Sequence, residues 1–140
     1  MERNISTRLD IYKYLDTLEY IQSLSNDPYT KVGCILLDDS LDIVGTGCND
    51  KPKKWVQKYP YEDRELKNKY IIHAEINAII DAGSNKACVA IVTLFPCTHC
   101  MKALLAKGIT TLYYHDIRFN EDASEVFAMC GMCGVEVIRF

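Results

Sequence analysis

The sequence predicts a three-layer α/β/α domain built on a mixed five-stranded sheet, and three patterns carry that expectation. Two apolar runs, 31–37 and 42–49, are joined by the polar turn Asp38-Asp39-Ser40 and read as a β-hairpin. Three further apolar runs, 87–94, 111–115 and 135–140, alternate with segments of helical period, so they should lie parallel with right-handed crossovers. The run 31–37 is apolar at successive positions, as a strand covered on both faces is.

Each element has its own local reason. Thr7-x-x-Asp10 has the form of a helix-start cap, Ile11, Leu15, Leu18 and Ile21 recur at helical spacing, and Ser25-Asn26-Asp27-Pro28 stops the helix. After the hairpin, residues 50–70 are polar, hold Pro52 and Pro60, and interleave Trp55, Tyr59 and Tyr61. They read as a long loop with a helical turn over 62–69, and such a loop in a small domain is more often functional than idle. Further helices are expected over 73–82, ended by Gly83, over 97–107, ended by Gly108, and over 122–129. The order is α-β-β-α-β-α-β-α-β. With no repeat or linker, and 49% hydrophobic composition over 140 residues, residues 1–140 form one domain with a real core.

Composition narrows the class of function. No apolar run approaches the ~20 residues of a membrane span, and the first residues lack the hydrophobic stretch of a signal peptide. Seven cysteines, odd in number and scattered, suit a reducing compartment, so a cytoplasmic location is expected (the host's if the source is viral). A net charge of −3 weighs against a chain whose main affinity is for a nucleic-acid backbone. Charge is uneven, however: residues 51–69 hold Lys51, Lys53, Lys54, Lys58, Arg64, Lys67 and Lys69 against Glu62, Asp63 and Glu65. That stretch is either a solvated face or a surface that handles phosphate.

The chemistry concentrates in Phe95-Pro96-Cys97-Thr98-His99-Cys100 and in His73-Ala74-Glu75. A catalytic zinc takes three protein ligands and leaves one position to water, and His73, Cys97 and Cys100 supply three. Cys97 and Cys100 share one helix face. His73 and Glu75 would point about 200° apart in mid-helix, so His73 must stand at a helix start. Both metal-binding segments then begin helices, whose N-terminal ends favour thiolates. Glu75 is left as the proton shuttle between zinc-activated water, the substrate and a leaving amine. Phe95 precedes Pro96, so its carbonyl is available to accept from that amine. His-x-Glu with Pro-Cys-x-x-Cys is the pattern of zinc nucleobase deaminases. His99 should face away, and Cys34, Cys48 and Cys88 fall on strand patterns as core residues. Cys130 and Cys133 form a second Cys-x-x-Cys, read either as small apolar helix-end residues or as partners of Cys97 and Cys100 in a structural zinc site.

With these residues in place, the chain resembles the deoxycytidylate (dCMP) deaminase family of the zinc-dependent cytidine deaminase superfamily, which includes viral members that also act on dCTP. The resemblance lies in Ser25-x-Asp27-Pro28 leading to Val32-Gly33, in Ile43-Val44-Gly45-x-Gly47-x-Asn49, in His73-Ala74-Glu75-Ile76-Asn77-Ala78-Ile79 and in Leu94-Phe95-Pro96-Cys97-x-x-Cys100. It implies hydrolytic deamination of a deoxycytidine nucleotide, dCMP to dUMP with dCTP to dUTP as a second reaction, and assembly as a homo-oligomer, a hexamer by family habit. It also implies that Asn49 bonds the deoxyribose, that the Ala74 N–H meets the pyrimidine carbonyl, that Arg118 holds phosphate and that Phe119 lies on the base.

The chain also departs from the family pattern. Many relatives carry two basic residues ahead of Asp27-Pro28, where this chain has Leu24 and Asn26; Lys31 is the residue to compensate near the substrate. Gly47-Cys48-Asn49-Asp50 puts an acid where relatives approach a regulatory nucleotide, which questions allosteric control by dCTP and dTTP and suggests Mg²⁺ beside a bound triphosphate. Two other readings stay open: a polynucleotide deaminase using the aromatic and basic 51–69 stretch, and a non-enzymatic zinc-binding module.

Overall fold

The computed structural model describes residues 9–140. The sheet runs β2-β1-β3-β4-β5, built from β1 (Gly33–Leu37), β2 (Ile43–Cys48), β3 (Val89–Leu94), β4 (Thr111–Asp116) and β5 (Glu136–Arg139). β1 pairs antiparallel with β2 and β3, whereas β3, β4 and β5 are parallel, as the helical crossovers require. The five-stranded mixed sheet expected from sequence is therefore the one that forms.

Strand alternation divides the core in two. Cys34, Leu36, Ala90, Val92, Leu112 and Tyr114 face one side and pack beneath α3 (Ala74–Ala82), α4 (Thr98–Lys107) and α5 (Glu121–Met132). Ile35, Leu37, Val89, Ile91 and Tyr113 face the other side, covered by α1 (Tyr12–Ser23) through Tyr14 and Leu18. β1 is buried at all five positions because it is central and covered twice. The start of α1 comes later than the Thr7 cap implies: Asp10 Oδ1 accepts from the Tyr12 N–H at 3.1 Å, and Thr7 lies outside the described residues.

The 50–70 stretch is more structured than a loop. Its helical turn is a seven-residue helix, α2 (Arg64–Tyr70), capped by Asp63, which accepts from the Leu66 N–H at 3.2 Å. An antiparallel bridge between Asp50 and Ile72 closes the excursion. The ring centroids of Trp55 and Tyr59 lie 5.0 Å apart and those of Tyr59 and Tyr61 4.7 Å apart. The aromatics thus pack on one another, and Tyr59 is 3% exposed. Rings so engaged are not a platform for stacked bases, which removes the main support for the polynucleotide reading.

One contact fixes where the site can form. α3 lies directly on β2: a Cβ built on Gly47 would sit 2.5 Å from the Ala78 nitrogen and 2.6 Å from the Ala74 carbonyl oxygen. Backbone cannot yield as a flexible side chain does, so only glycine allows this approach. Gly47→Ala is expected to destabilise the protein by about 1–3 kcal/mol and to displace the start of α3. Denaturant unfolding checks the first effect, and zinc affinity the second.

Candidate active site

Three chain segments converge at the carboxyl end of β3, where crevices form in open α/β sheets. The first is the entry to α3. His73 is its N-cap, with extended backbone (φ −70°, ψ 155°), which meets the requirement that the histidine stand at a helix start. The second is the entry to α4, where Cys97 is the N-cap (φ −76°, ψ 171°) and Cys100 lies in the first turn. The third is the start of α5, where Asp122 holds that turn: its carboxylate accepts from the Thr98 N–H at 3.2 Å and from the Thr98 hydroxyl at 2.9 Å.

His73, Cys97 and Cys100 come together, their ligand atoms all within 4.8 Å of one another. His73 Nδ1 is 3.2 Å from Cys100 Sγ and 3.6 Å from Cys97 Sγ. Tetrahedral zinc with ordinary Zn–N and Zn–S bonds sets such atoms roughly 3.6 Å apart. The donor set and its spacing therefore fit zinc. The Cys100 thiol hydrogen-bonds Cys97 Sγ, and this bond, with His73 beside it, lowers the Cys97 thiol to about 4 against the opposing effect of burial. His73 is raised by its bond to Cys97, with burial opposing. Cys100 is raised because it carries the shared proton in a buried place. Cys130 and Cys133 do not join the group: Cys130 is buried in α5 and Cys133 is exposed at the helix end. Cys34 is core as expected, whereas Cys48 and Cys88 are only half-buried. His99 is exposed, as expected.

Glu75 is the second residue of α3, 4% exposed, on the wall of a cleft of about 250 Å³ that also includes His73 and Cys97. Burial pushes its carboxyl up to about 7, only partly offset by its own backbone N–H and by His73.

The other expected residues divide. Asn49, Ala74, Phe95 and Arg118 line the cleft. Ala74 is fully buried at the first position of α3. Phe95 stacks on Phe127 with centroids 4.6 Å apart and donates its N–H to the Asp116 carbonyl at 2.7 Å. Arg118 Nη2 donates to Thr30 Oγ1 at 3.0 Å. Asn49 is largely engaged by the scaffold: Oδ1 accepts from the Val32 N–H at 2.9 Å, and Nδ2 donates to the Thr30 carbonyl at 2.8 Å.

Asn26, Lys31 and Phe119 are not on the cleft wall. Asn26 is exposed beside the Asp27 turn, and Phe119 is 80% exposed. Lys31 lies against a neighbouring depression, where its carbonyl accepts from Gln22 Nε2. Asp50 is held by the Tyr61 hydroxyl at 2.8 Å and does not line the cleft.

What the sequence reading missed is a buried ion pair. Lys67 Nζ lies 2.7 Å from Asp27 Oδ2, with side chains 5% and 1% exposed. Burial alone would raise the Asp27 carboxyl, but the Lys67 bond and the Tyr29 and Thr30 N–H groups bring it below its ordinary value. The pair docks α2 beside the cleft. Lys67 is one of seven basic residues in its stretch, and nothing in local spacing marks it out. Asp27 is visible in sequence only as a turn residue.

Comparison with known proteins agrees with this geometry. The profile of the cytidine and deoxycytidylate deaminase zinc-binding region matches residues 10–116. The deoxycytidylate deaminase of Pongo abelii is 31% identical over 147 residues, covering 91% of this chain and 81% of the relative. A probable deoxycytidylate deaminase of Caenorhabditis elegans is 34% identical over 103 residues, and there the match takes in 67% of this chain and about half, 51%, of the relative. The crystal structure of the dCMP deaminase from cyanophage S-TIM5 in complex with dCMP and dUMP has a TM-score of 0.77 at 23% identity. It covers 99% of this chain and 100% of its own, a likeness of fold. The His73-x-Glu75 and Pro96-Cys97-x-x-Cys100 geometry falls within the matched region, and the chain belongs to the cytidine and deoxycytidylate deaminase family, with that family's zinc-binding region.

Proposed function

We propose that this chain deaminates a deoxycytidine nucleotide by hydrolysis, converting dCMP to dUMP. The observation that carries the reading is the placing of a buried Glu75 beside the His73, Cys97 and Cys100 donor set in a single cleft. Hydrolysis replaces the C4–NH₂ bond of cytosine with a C4=O bond and releases ammonia. When bound by the three ligand residues, zinc supplies the Lewis acidity that makes water a nucleophile at neutral pH.

The remaining steps belong to the chain itself. Glu75 takes one proton from the attacking water and delivers it to the ring nitrogen. It then takes the second from the new C4 hydroxyl and delivers it to the amine, which leaves as ammonia while C4=O forms. Burial raises this carboxyl to about 7 in the metal-free protein, an environment that suits a group which both accepts and donates a proton. The Ala74 N–H, a first-turn amide without an intrahelical partner, meets the pyrimidine carbonyl. The Phe95 carbonyl accepts from the leaving amine, and its packed ring keeps that carbonyl in place. Asn49 Oδ1 has a second lone pair beyond its bond to Val32, which serves a sugar hydroxyl. Arg118 takes phosphate with its planar fork.

Action on dCTP, a homohexameric assembly and control by nucleotides extend the same reading from family resemblance. Mg²⁺ held beside a bound triphosphate belongs to the same extension; Asp50 does not line the cleft, so such a cation would draw its donors from the phosphates and the cleft wall. Among the described residues no helix is long and apolar enough to cross a membrane, and action in the cytoplasm is part of the proposal.

Ammonia release by zinc-loaded protein tests the reading across deoxycytidine, dCMP, dCTP and a cytosine oligonucleotide. We expect turnover of dCMP, with deoxycytidine far slower. Turnover of the oligonucleotide alone, or of none of the four, would overturn it.

A further inference from the structure

Three cationic side chains reach the cleft: Lys67 and Arg64 from α2, and Arg118 from the segment after β4. Lys67 is buried and neutralised by Asp27. Arg64 and Arg118 have no carboxylate partner among the described residues. Their guanidinium groups converge on one turn. Arg64 Cζ lies 5.3 Å from the ring centroid of Tyr29, and Arg118 holds the hydroxyl of Thr30, the next residue.

That turn is fixed. Asp27 Oδ1 accepts from the N–H of Tyr29 at 2.8 Å and of Thr30 at 3.2 Å. The Tyr29 hydroxyl donates to the Glu62 carbonyl at 2.8 Å, which ties the turn to the approach to α2. The other carboxylates on the cleft wall are committed elsewhere, Glu75 in its buried place beside the zinc ligands and Asp122 to Thr98. The positive charge at this turn is therefore uncancelled, and a guanidinium resting on an aromatic face keeps its in-plane N–H donors for an anion.

We propose that Arg64 binds the 5′-phosphate together with Arg118, so that α2 makes the cleft selective for a nucleoside monophosphate over the bare nucleoside. This rests on the reading of the site as a cytosine-nucleotide deaminase. Lys67 and Asp27 position Arg64 by docking α2, and Lys31, away from the cleft wall, takes no part.

The test compares binding of dUMP and deoxyuridine to zinc-loaded wild type, Arg64→Gln and Lys58→Gln, by titration calorimetry. Lys58 is exposed and away from the cleft wall, so Lys58→Gln makes the same change in net charge without touching the site. Arg64→Gln is expected to weaken dUMP about tenfold or more, the loss of a charge-assisted contact, and to leave deoxyuridine unchanged. Lys58→Gln should change neither. Equal dUMP affinity in wild type and Arg64→Gln, or parallel loss of both ligands, overturns the proposal. A wild type that binds dUMP no better than deoxyuridine overturns it too, even if it releases ammonia from cytosine compounds. A wild type that releases no ammonia overturns the deaminase reading instead, and the binding comparison still decides the role of Arg64.

Discussion

Glu75→Gln lowers turnover of dCMP about 10⁴-fold, the upper range for loss of a general acid–base group, while zinc content stays at the wild-type level. The ligands are His73, Cys97 and Cys100, and the amide is nearly isosteric with the carboxylate, so the site should assemble unchanged. Only the ability to carry a proton is removed. Retained turnover would mean that another group moves the proton.

The same substitution has a signature in the metal-stripped protein. The carboxyl is raised from its ordinary 4.5 to about 7 by burial, so the folded state binds the proton more tightly than the unfolded chain. Stability of the stripped wild type therefore falls as pH rises from about 4.5 to about 7 and levels off above that. Glu75→Gln removes this component of the slope. Unfolding of wild type and variant across that window gives the difference directly; parallel curves would contradict the burial argument.

Lys67→Met is the second large effect, a loss of about 3–5 kcal/mol, because it leaves the Asp27 carboxylate buried without its cation. Asp27→Asn combined with Lys67→Met should recover much of that loss, since the stranded charge is gone while the new side-chain amide oxygen can still accept from the turn N–H groups. Chemical denaturation of the zinc-loaded protein measures both. The acid limb should differ as well. Asp27 sits below its ordinary value, so the stability it contributes is present above the unfolded carboxyl's pKa and is lost as pH falls through the folded one. The single variant, having lost the bond from Lys67, should lose this dependence. Equal stability of the single and double variants would show that a stranded Asp27 charge is not the source of the loss.

The fold was legible because its strands are marked by continuous or alternating apolar runs and its helices end at Gly83 and Gly108. The metal centre was legible because ligand identity is the chemistry itself: His73, Cys97 and Cys100 have few other reasons to stand at successive helix starts. Its surroundings were less so. Lys67 resembles its basic neighbours in sequence, and only the approach of a carboxylate 40 positions earlier sets it apart. Trp55, Tyr59 and Tyr61 looked like a stacking surface, but aromatics in a polar stretch serve equally to bury one another. Arg64 was counted only as charge, since what selects it is the ring of Tyr29, far back in the chain, which no local pattern connects to it.

The measurement that bears most directly on the account is formation of dUMP and ammonia from dCMP by the zinc-loaded wild type. Equal amounts of the two products, at a rate well above that with deoxycytidine, are the predicted result. Full zinc occupancy with neither product would contradict the central claim.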